Sequence, residues 1–292
     1  MHRPAAAIAC IAAALAAQDP MQKPPPELGT VAWQRDLDAA LGAKGTKPLF
    51  VLFQEIPGCS TCTGFGKDVL SHPLLAAAIE TAFVPVAVRN NADGAEKAVC
   101  ERFREPAWNN PVVRFLDRKG KDLLPRQDGV FDAHGIAVRM AGALEAAKTP
   151  VPGFLAIARD ESDPAMKTTL LTMHCFWEGE AVLGALDGVV RTRSVFVGGA
   201  EGVEVTFLPA RLSPEALVAA AQTKSCKPVD AKTPVTDAPA KDQQHALRGT
   251  PFAELDLSPM QRTKVHAAIT LGEDPLRWLT PAQAARAALP RK

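Results

Sequence analysis

Two sulfur-bearing stretches of this sequence could do chemistry. In Ile56-Pro-Gly-Cys59-Ser-Thr-Cys62 two cysteines stand with two residues between them. That spacing lets two thiols close a disulfide across one helical turn, and it also serves zinc sites. A zinc site needs two more ligands at similarly compact spacing. The chain offers no second such pair and no histidine pair, and His72 and His134 are isolated. The stretch therefore reads as a redox dithiol, with a structural disulfide as the other use of the pair and no metal assigned. An apolar run precedes it and a helical stretch follows, which puts Cys59 at a helix N-terminus. Partial positive charge and unpaired N–H groups there favour a thiolate over a thiol. Cys59, nearer to solvent, is the expected attacking sulfur, and Cys62 the resolving one. Glu55 lies close enough in sequence for a proton relay but reads as a solvated surface carboxylate.

The second stretch is Met173-His-Cys-Phe-Trp-Glu-Gly-Glu-Ala181. Here Cys175 ends a strand and opens a helix, again a place that favours a thiolate. Phe176 and Trp177 beside it could hold a small group, such as a sulfoxide methyl, against the sulfur. A buried cysteine among core aromatic rings is the alternative.

The elements that position these residues follow from hydrophobic periodicity. Trp33 to Lys44 repeats apolar residues at helical spacing, and Leu49 to Phe53 is a short apolar run typical of a buried parallel strand. A helix over 70–81, strands over 83–88 and 112–116, a turn at Arg118-Lys119-Gly120-Lys121 and a helix near 136–147 complete an alternating pattern, which argues for an α/β unit. Cys100 falls in a helix over 95–103 and reads as packed. After Thr149-Pro-Val-Pro-Gly153 comes a second unit with strands over 168–172, 193–197 and 203–208. Its helices run over 176–186 and from Ser213-Pro-Glu215, where a hydroxyl cap precedes a proline. Residues 227–248 have the composition of a linker, and 249–292 that of a helical tail with two capping boxes, Ser258-Pro-Met-Gln261 and Thr280-Pro-Ala-Gln283.

With those elements in place, residues 28–165 resemble a thioredoxin-like domain, with the cysteine pair at a strand–helix junction and Asn109-Asn110-Pro111 before a strand. The resemblance implies a cis-proline at Pro111, facing the pair and binding substrate backbone. The Ile-Pro-Gly lead-in is also similar to a bacterial thioredoxin-like group, some of whose members carry selenocysteine where Cys59 stands. Phe53 occupies the place of that family's buried acid. Residues 166–226 resemble a shortened A-type peptide-methionine sulfoxide reductase module of ferredoxin-like α+β fold. The blocks that carry it are Cys175-Phe176-Trp177 with Glu180, Val195-Phe-Val-Gly-Gly199, and Ala200-Glu201-Gly-Val203. That resemblance implies attack by Cys175 on the sulfoxide sulfur, a methyl cage of Phe176 and Trp177, proton delivery by Glu201, and condensation of the sulfenic acid with Cys226. It departs from that family in having no tyrosine, with Phe196 where one is expected, and in replacing two flanking glycines by His174 and Glu178.

Over the whole chain of 292 residues, 47% are hydrophobic and the formal net charge is +1. That length suits about two domains, and that charge gives no basis for nucleic-acid binding. Residues 1–17 read as a signal peptide, with Arg3 before an apolar run too short to span a bilayer. Residues 18–27 read as a polar, proline-rich linker. Without the signal, Cys59, Cys62, Cys100, Cys175 and Cys226 remain. An odd set suits thiol chemistry better than a static disulfide scaffold. The expectation is a periplasmic or secreted thiol-disulfide oxidoreductase without cofactor or stable membrane span. Its partners would be protein thiols and disulfides, a thiol reductant and methionine sulfoxide in proteins. The competing expectation is a non-catalytic, redox-linked binding protein whose second module is degenerate.

Overall fold

In a computed structural model of the chain, residues 25–222, 227–229 and 233–289 are described. The expected signal segment 1–17 and Cys226 lie outside them. The first sheet has strand order β2-β1-β3. Strand β1 (Leu49–Gln54) runs parallel to β2 (Val84–Arg89) and antiparallel to β3 (Val112–Leu116). Every residue of β1 is buried, because both faces are covered. Phe50 and Leu52 join α2 (Ser60–Asp68), α3 (Pro73–Ala82), α5 (Ala133–Ala146) and α6 (Gly153–Glu161) in one core. Leu49, Val51 and Phe53 face the other way, toward α1 (Leu37–Gly42) and α4 (Ala95–Phe103). Two-residue alternation thus splits one strand between two cores. Phe50 meets Phe83 at 6.1 Å and Phe115 at 5.4 Å between ring centroids, both edge-on. Such pairs add about 0.5–1.5 kcal/mol each beyond area burial.

The second sheet has order β7-β4-β6-β5-β8, with every pairing antiparallel. In chain order the unit runs β4 (Lys167–Thr172), α7 (Phe176–Ala185), β5 (Val189–Val197), β6 (Ala200–Phe207), α8 (Pro214–Gln222), β7 (Lys227–Pro228). This is a split β-α-β arrangement, the ferredoxin-like order expected from the sequence. Leu171, Val203, Val205 and Phe207 from the sheet meet Phe176, Leu183 and Leu217 from the two helices in its core.

Residues 227–248 correct the linker expectation. β7 pairs with β4, and β8 (Val235–Asp237) covers the outer edge of β5. Gln243 then donates through Nε2 to Ser194 O and Ala238 O, and Leu247 is buried. The polar composition remained compatible with order because the sheet edges supplied backbone partners. The C-terminal helices α9 (Pro259–Leu271) and α10 (Pro281–Ala287) both carry the expected capping boxes. The caps are also joined, because Gln261 and Gln283 exchange amide hydrogen bonds at 2.8 and 3.1 Å. Helix α9 docks on α7, where Gly184 leaves room for Thr263, and Lys264 Nζ donates to Gly184 O and Leu186 O at 2.8 Å each. Lys264 therefore serves the unpaired carbonyls at the C-terminal end of α7, and burial lowers its pKa to about 8.

Candidate functional site

The buried strand β1 delivers the chain to a tight approach at Gly58. A Cβ there would lie 2.5 Å from Glu55 O and 2.6 Å from Cys62 Cβ, so only glycine lets the backbone pass. Cys59 is the N-cap of α2 and is exposed, whereas Cys62, one turn on, is fully buried. Their sulfurs stand 3.6 Å apart as free thiols. The backbone N–H of Cys62 stabilises a thiolate on Cys59 and lowers its pKa, with Thr61 adding to the effect. Burial acts in the opposite direction on Cys62, whose pKa is pushed up to about 11. One sulfur is thus primed to attack and the other holds its proton.

Three further residues reach this pair. The Glu55 carboxylate lies within 4.8 Å of both sulfurs, so it belongs to the site, contrary to its reading as a solvated surface group. Asn110 Oδ1 accepts from the Cys59 thiol at 3.5 Å. Glu27, only 3% exposed, accepts the Gly58 N–H through Oε1 at 2.8 Å. The segment Pro26–Leu28 is a 3₁₀ turn laid on α2, where Gly66 allows the contact: a Cβ there would sit 2.0 Å from Pro26 O. The end of the expected linker 18–27 is therefore built into the site. Its visible sign in the sequence was a proline opening a turn that Gly29 closes, with φ of 59°.

The loop before β3 is anchored from behind. Asn90 Nδ2 donates to Asn109 O at 2.9 Å, and Asn109 Nδ2 donates to Asp128 Oδ2 at 3.1 Å. Beneath it the buried Glu105 carboxylate takes Arg114 Nε at 2.7 Å and Arg126 Nε at 2.9 Å. Pro111 leads into β3, whose first residue, Val112, pairs with Phe53 beside the cysteine loop. The cis-proline expectation is corrected at this point. Among the described residues the cis peptide bond is Ile56–Pro57, and the contact with Cys59 comes from Asn110 instead.

At the second stretch Cys175 is the half-buried N-cap of α7. The Glu201 carboxylate accepts the Phe176 N–H through Oε2 at 2.8 Å, so this acid shares the helix end with the cysteine. The two rings touch edge-on at 6.0 Å between centroids but differ in exposure. Phe176 is buried and packs edge-on against Phe196 at 5.7 Å, whereas Trp177 is 41% exposed and stacks on His245 at 4.7 Å. Glu180 is a structural residue. It is fully buried, its carboxylate accepts the Ser194 and Gln244 N–H groups at 3.1 and 2.8 Å, and burial raises its pKa to about 7. Cys100 is packed in the core between α4 and the sheet, and burial raises its pKa. The His134 ring bonds Arg159 O at 2.9 Å.

Comparison with known proteins bears on the first unit. A family model described as thioredoxin-like matches residues 32–118, and this region forms the thioredoxin-like domain that carries Cys59 and Cys62. A solved structure titled DsbH Oxidoreductase is 18% identical, with 46% of this chain and 97% of that one covered at a TM-score of 0.34. No curated protein matches the chain.

Proposed function

With a thioredoxin-like domain presenting Cys59 in front of Cys62, we propose that this protein is a thiol-disulfide oxidoreductase. The observation that carries the reading is the opposed pair of shifts, Cys59 lowered at a helix N-cap and Cys62 raised by burial 3.6 Å behind it. The Cys59 thiolate attacks one sulfur of a partner disulfide, a mixed disulfide forms, and the other partner sulfur leaves as a thiolate that takes up a proton. Cys62 then passes its proton to the Glu55 carboxylate and attacks Cys59 Sγ. This releases the second partner thiol and leaves a Cys59–Cys62 disulfide, so two electrons have moved to the partner. The reverse sequence oxidises a partner dithiol. Asn110 beside Cys59, and Pro111 next to it in the chain, mark where partner backbone would lie.

The test is turnover of a protein disulfide, such as that of insulin, under a dithiol reductant. Wild type should be active, Cys59→Ser inactive, and Cys62→Ser should accumulate a mixed disulfide visible by mass. Turnover surviving in Cys59→Ser would overturn the assignment.

A finer reading extends the electron path. Oxidised Cys175, paired with Cys226 after reducing a methionine sulfoxide, would accept electrons from Cys59. Glu201 beside the Cys175 helix end supports it, and the burial of Phe176 against Phe196 together with the absence of tyrosine counts against it. Loss of peptide methionine sulfoxide reduction in both Cys175→Ser and Cys59→Ser is the expected outcome. Activity in none of the proteins would leave the second unit as a binding module. The basic start and short apolar run of residues 1–17 support action outside the cytoplasm.

A further inference from the structure

We propose that the reduced cysteine pair is also a zinc site, with Glu55 and Asn110 completing a four-donor set around Cys59 and Cys62. The geometry carries this inference. Tetrahedral zinc binds thiolate sulfur at about 2.3 Å and carboxylate oxygen at about 2.0–2.2 Å, and an oxygen donor at that range places two sulfurs about 3.8 Å apart and sulfur about 3.5 Å from oxygen. The two sulfurs stand at 3.6 Å, and Asn110 Oδ1 is 3.5 Å from Cys59 Sγ. The Glu55 carboxylate lies within 4.8 Å of both sulfurs, so it has to close by no more than about 1.3 Å, a motion within the reach of its own side-chain torsions. Spacing alone hid this set, because cysteines and histidines were counted there and the other two donors are a carboxylate and an amide. Asn110 reaches the pair only through the fold.

The backbone next to the donors is held by other groups. Glu27 takes the Gly58 N–H behind the cysteine loop, and Asn90 and Asp128 hold Asn109 beside Asn110. Such outer partners orient ligands and tune a metal site. The consequence is a redox-gated site, in which the dithiol holds zinc and the disulfide, with both sulfurs bonded to each other, does not.

The experiment uses the full chain, reduced and then freed of reductant, with Zn²⁺ competed against a chromophoric chelator. About one equivalent should bind, and none beyond background once the pair is oxidised. Cys175→Ser/Cys226→Ser should bind as wild type does, whereas Cys59→Ser should lose the site. Glu55→Ala and Asn110→Ala should each weaken binding at least 10-fold, with Co²⁺ showing tetrahedral ligand-field bands in wild type. Binding below half an equivalent, or unchanged by both Glu55→Ala and Asn110→Ala, would overturn the proposal, the second result meaning plain dithiol chelation. Zinc binding is independent of disulfide turnover: a chain that binds zinc in this pattern yet turns over no disulfide sinks the oxidoreductase reading and leaves this one standing.

Discussion

A short pulse of iodoacetamide at pH 7 should label Cys59 of the reduced protein well before Cys62. Burial raises the Cys62 pKa to about 11, so about one molecule in 10⁴ carries that thiolate at pH 7. Cys59 sits below the ordinary 9.0, so more than about one in 10² is ionised there. Ionisation alone favours Cys59 by at least about 100-fold. Intrinsic nucleophilicity works the other way, because thiolates of higher pKa attack faster. With a Brønsted slope of about 0.4–0.5, two units return a factor of about 6–10 to Cys62. The net preference is about 10-fold or more before access is considered. Access adds to it, since Cys62 is fully buried and Cys59 exposed. Peptide mass spectrometry after timed quenching gives both rates. Raising the pH should bring the Cys59 rate to a plateau well before that of Cys62, which keeps climbing to a higher pH. Equal rates at pH 7, or Cys62 labelled first, would refute the division of roles between the two sulfurs.

Gly66→Ala should lower stability by about 2 kcal/mol or more in urea titration, because the new Cβ meets Pro26 O at 2.0 Å. An unchanged midpoint would mean that residues 25–30 do not lie on α2. Glu105→Gln should cost up to about 3 kcal/mol, since it removes the buried carboxylate shared by Arg114 and Arg126 and leaves Arg114 only the part-exposed Asp122. His266→Phe should remove a loss of stability that develops as pH falls from about 6.5 to 4, where the unfolded chain binds a proton and the buried ring, held down to about 4, does not. Glu180→Gln should remove the opposite trend, a loss that develops as pH rises from about 4.5 to 7, because burial holds the folded carboxyl up to about 7. Each amounts to about 3 kcal/mol for a shift of about 2.5 units. In wild type the two slopes oppose each other between about pH 4.5 and 6.5, so urea midpoints of the variants, rather than of the parent, reveal them.

What the sequence made legible was whatever side-chain burial writes into a pattern. The apolar run of β1, the cysteine pair at the start of α2, and the order β-α-β-β-α from β4 to α8 were all readable, because each needs apolar residues at a fixed period, whereas β7 lay in the stretch that reads as a linker. Glu27 and Gln243 were not readable. Both are held through polar contacts to backbone, Glu27 on the Gly58 N–H and Gln243 on the Ser194 N–H, Ser194 O and Ala238 O, and such contacts leave no periodic trace. The stretches around them are rich in proline, lysine and aspartate and so resemble linkers, yet they close over α2 and along β5. Asn110 carries no signal of its own in the sequence, where the resemblance points to the neighbouring Pro111. The fold turned the adjacent amide toward the sulfur.

The two cysteines that looked alike in sequence differ in what else occupies their helix ends. A helix N-terminus offers its unpaired N–H groups to one anion, and the first acceptor in place satisfies them. At α2 the first turn holds no acidic residue, and the N–H groups of Cys62 and Thr61 act on the Cys59 sulfur. At α7 the first turn contains Glu178, and the Glu201 carboxylate already takes the Phe176 N–H. Strand, N-cap cysteine and helix are common to both places, and only the first leaves the anion position to sulfur. A motif read along the chain locates the helix end, but the residue that reaches it from another strand, here Glu201 on β6, decides what charge resides there. Replacing Glu201 by glutamine would thus remove the carboxylate charge that β6 brings to this helix end, with Glu178 left as the one acid of its first turn.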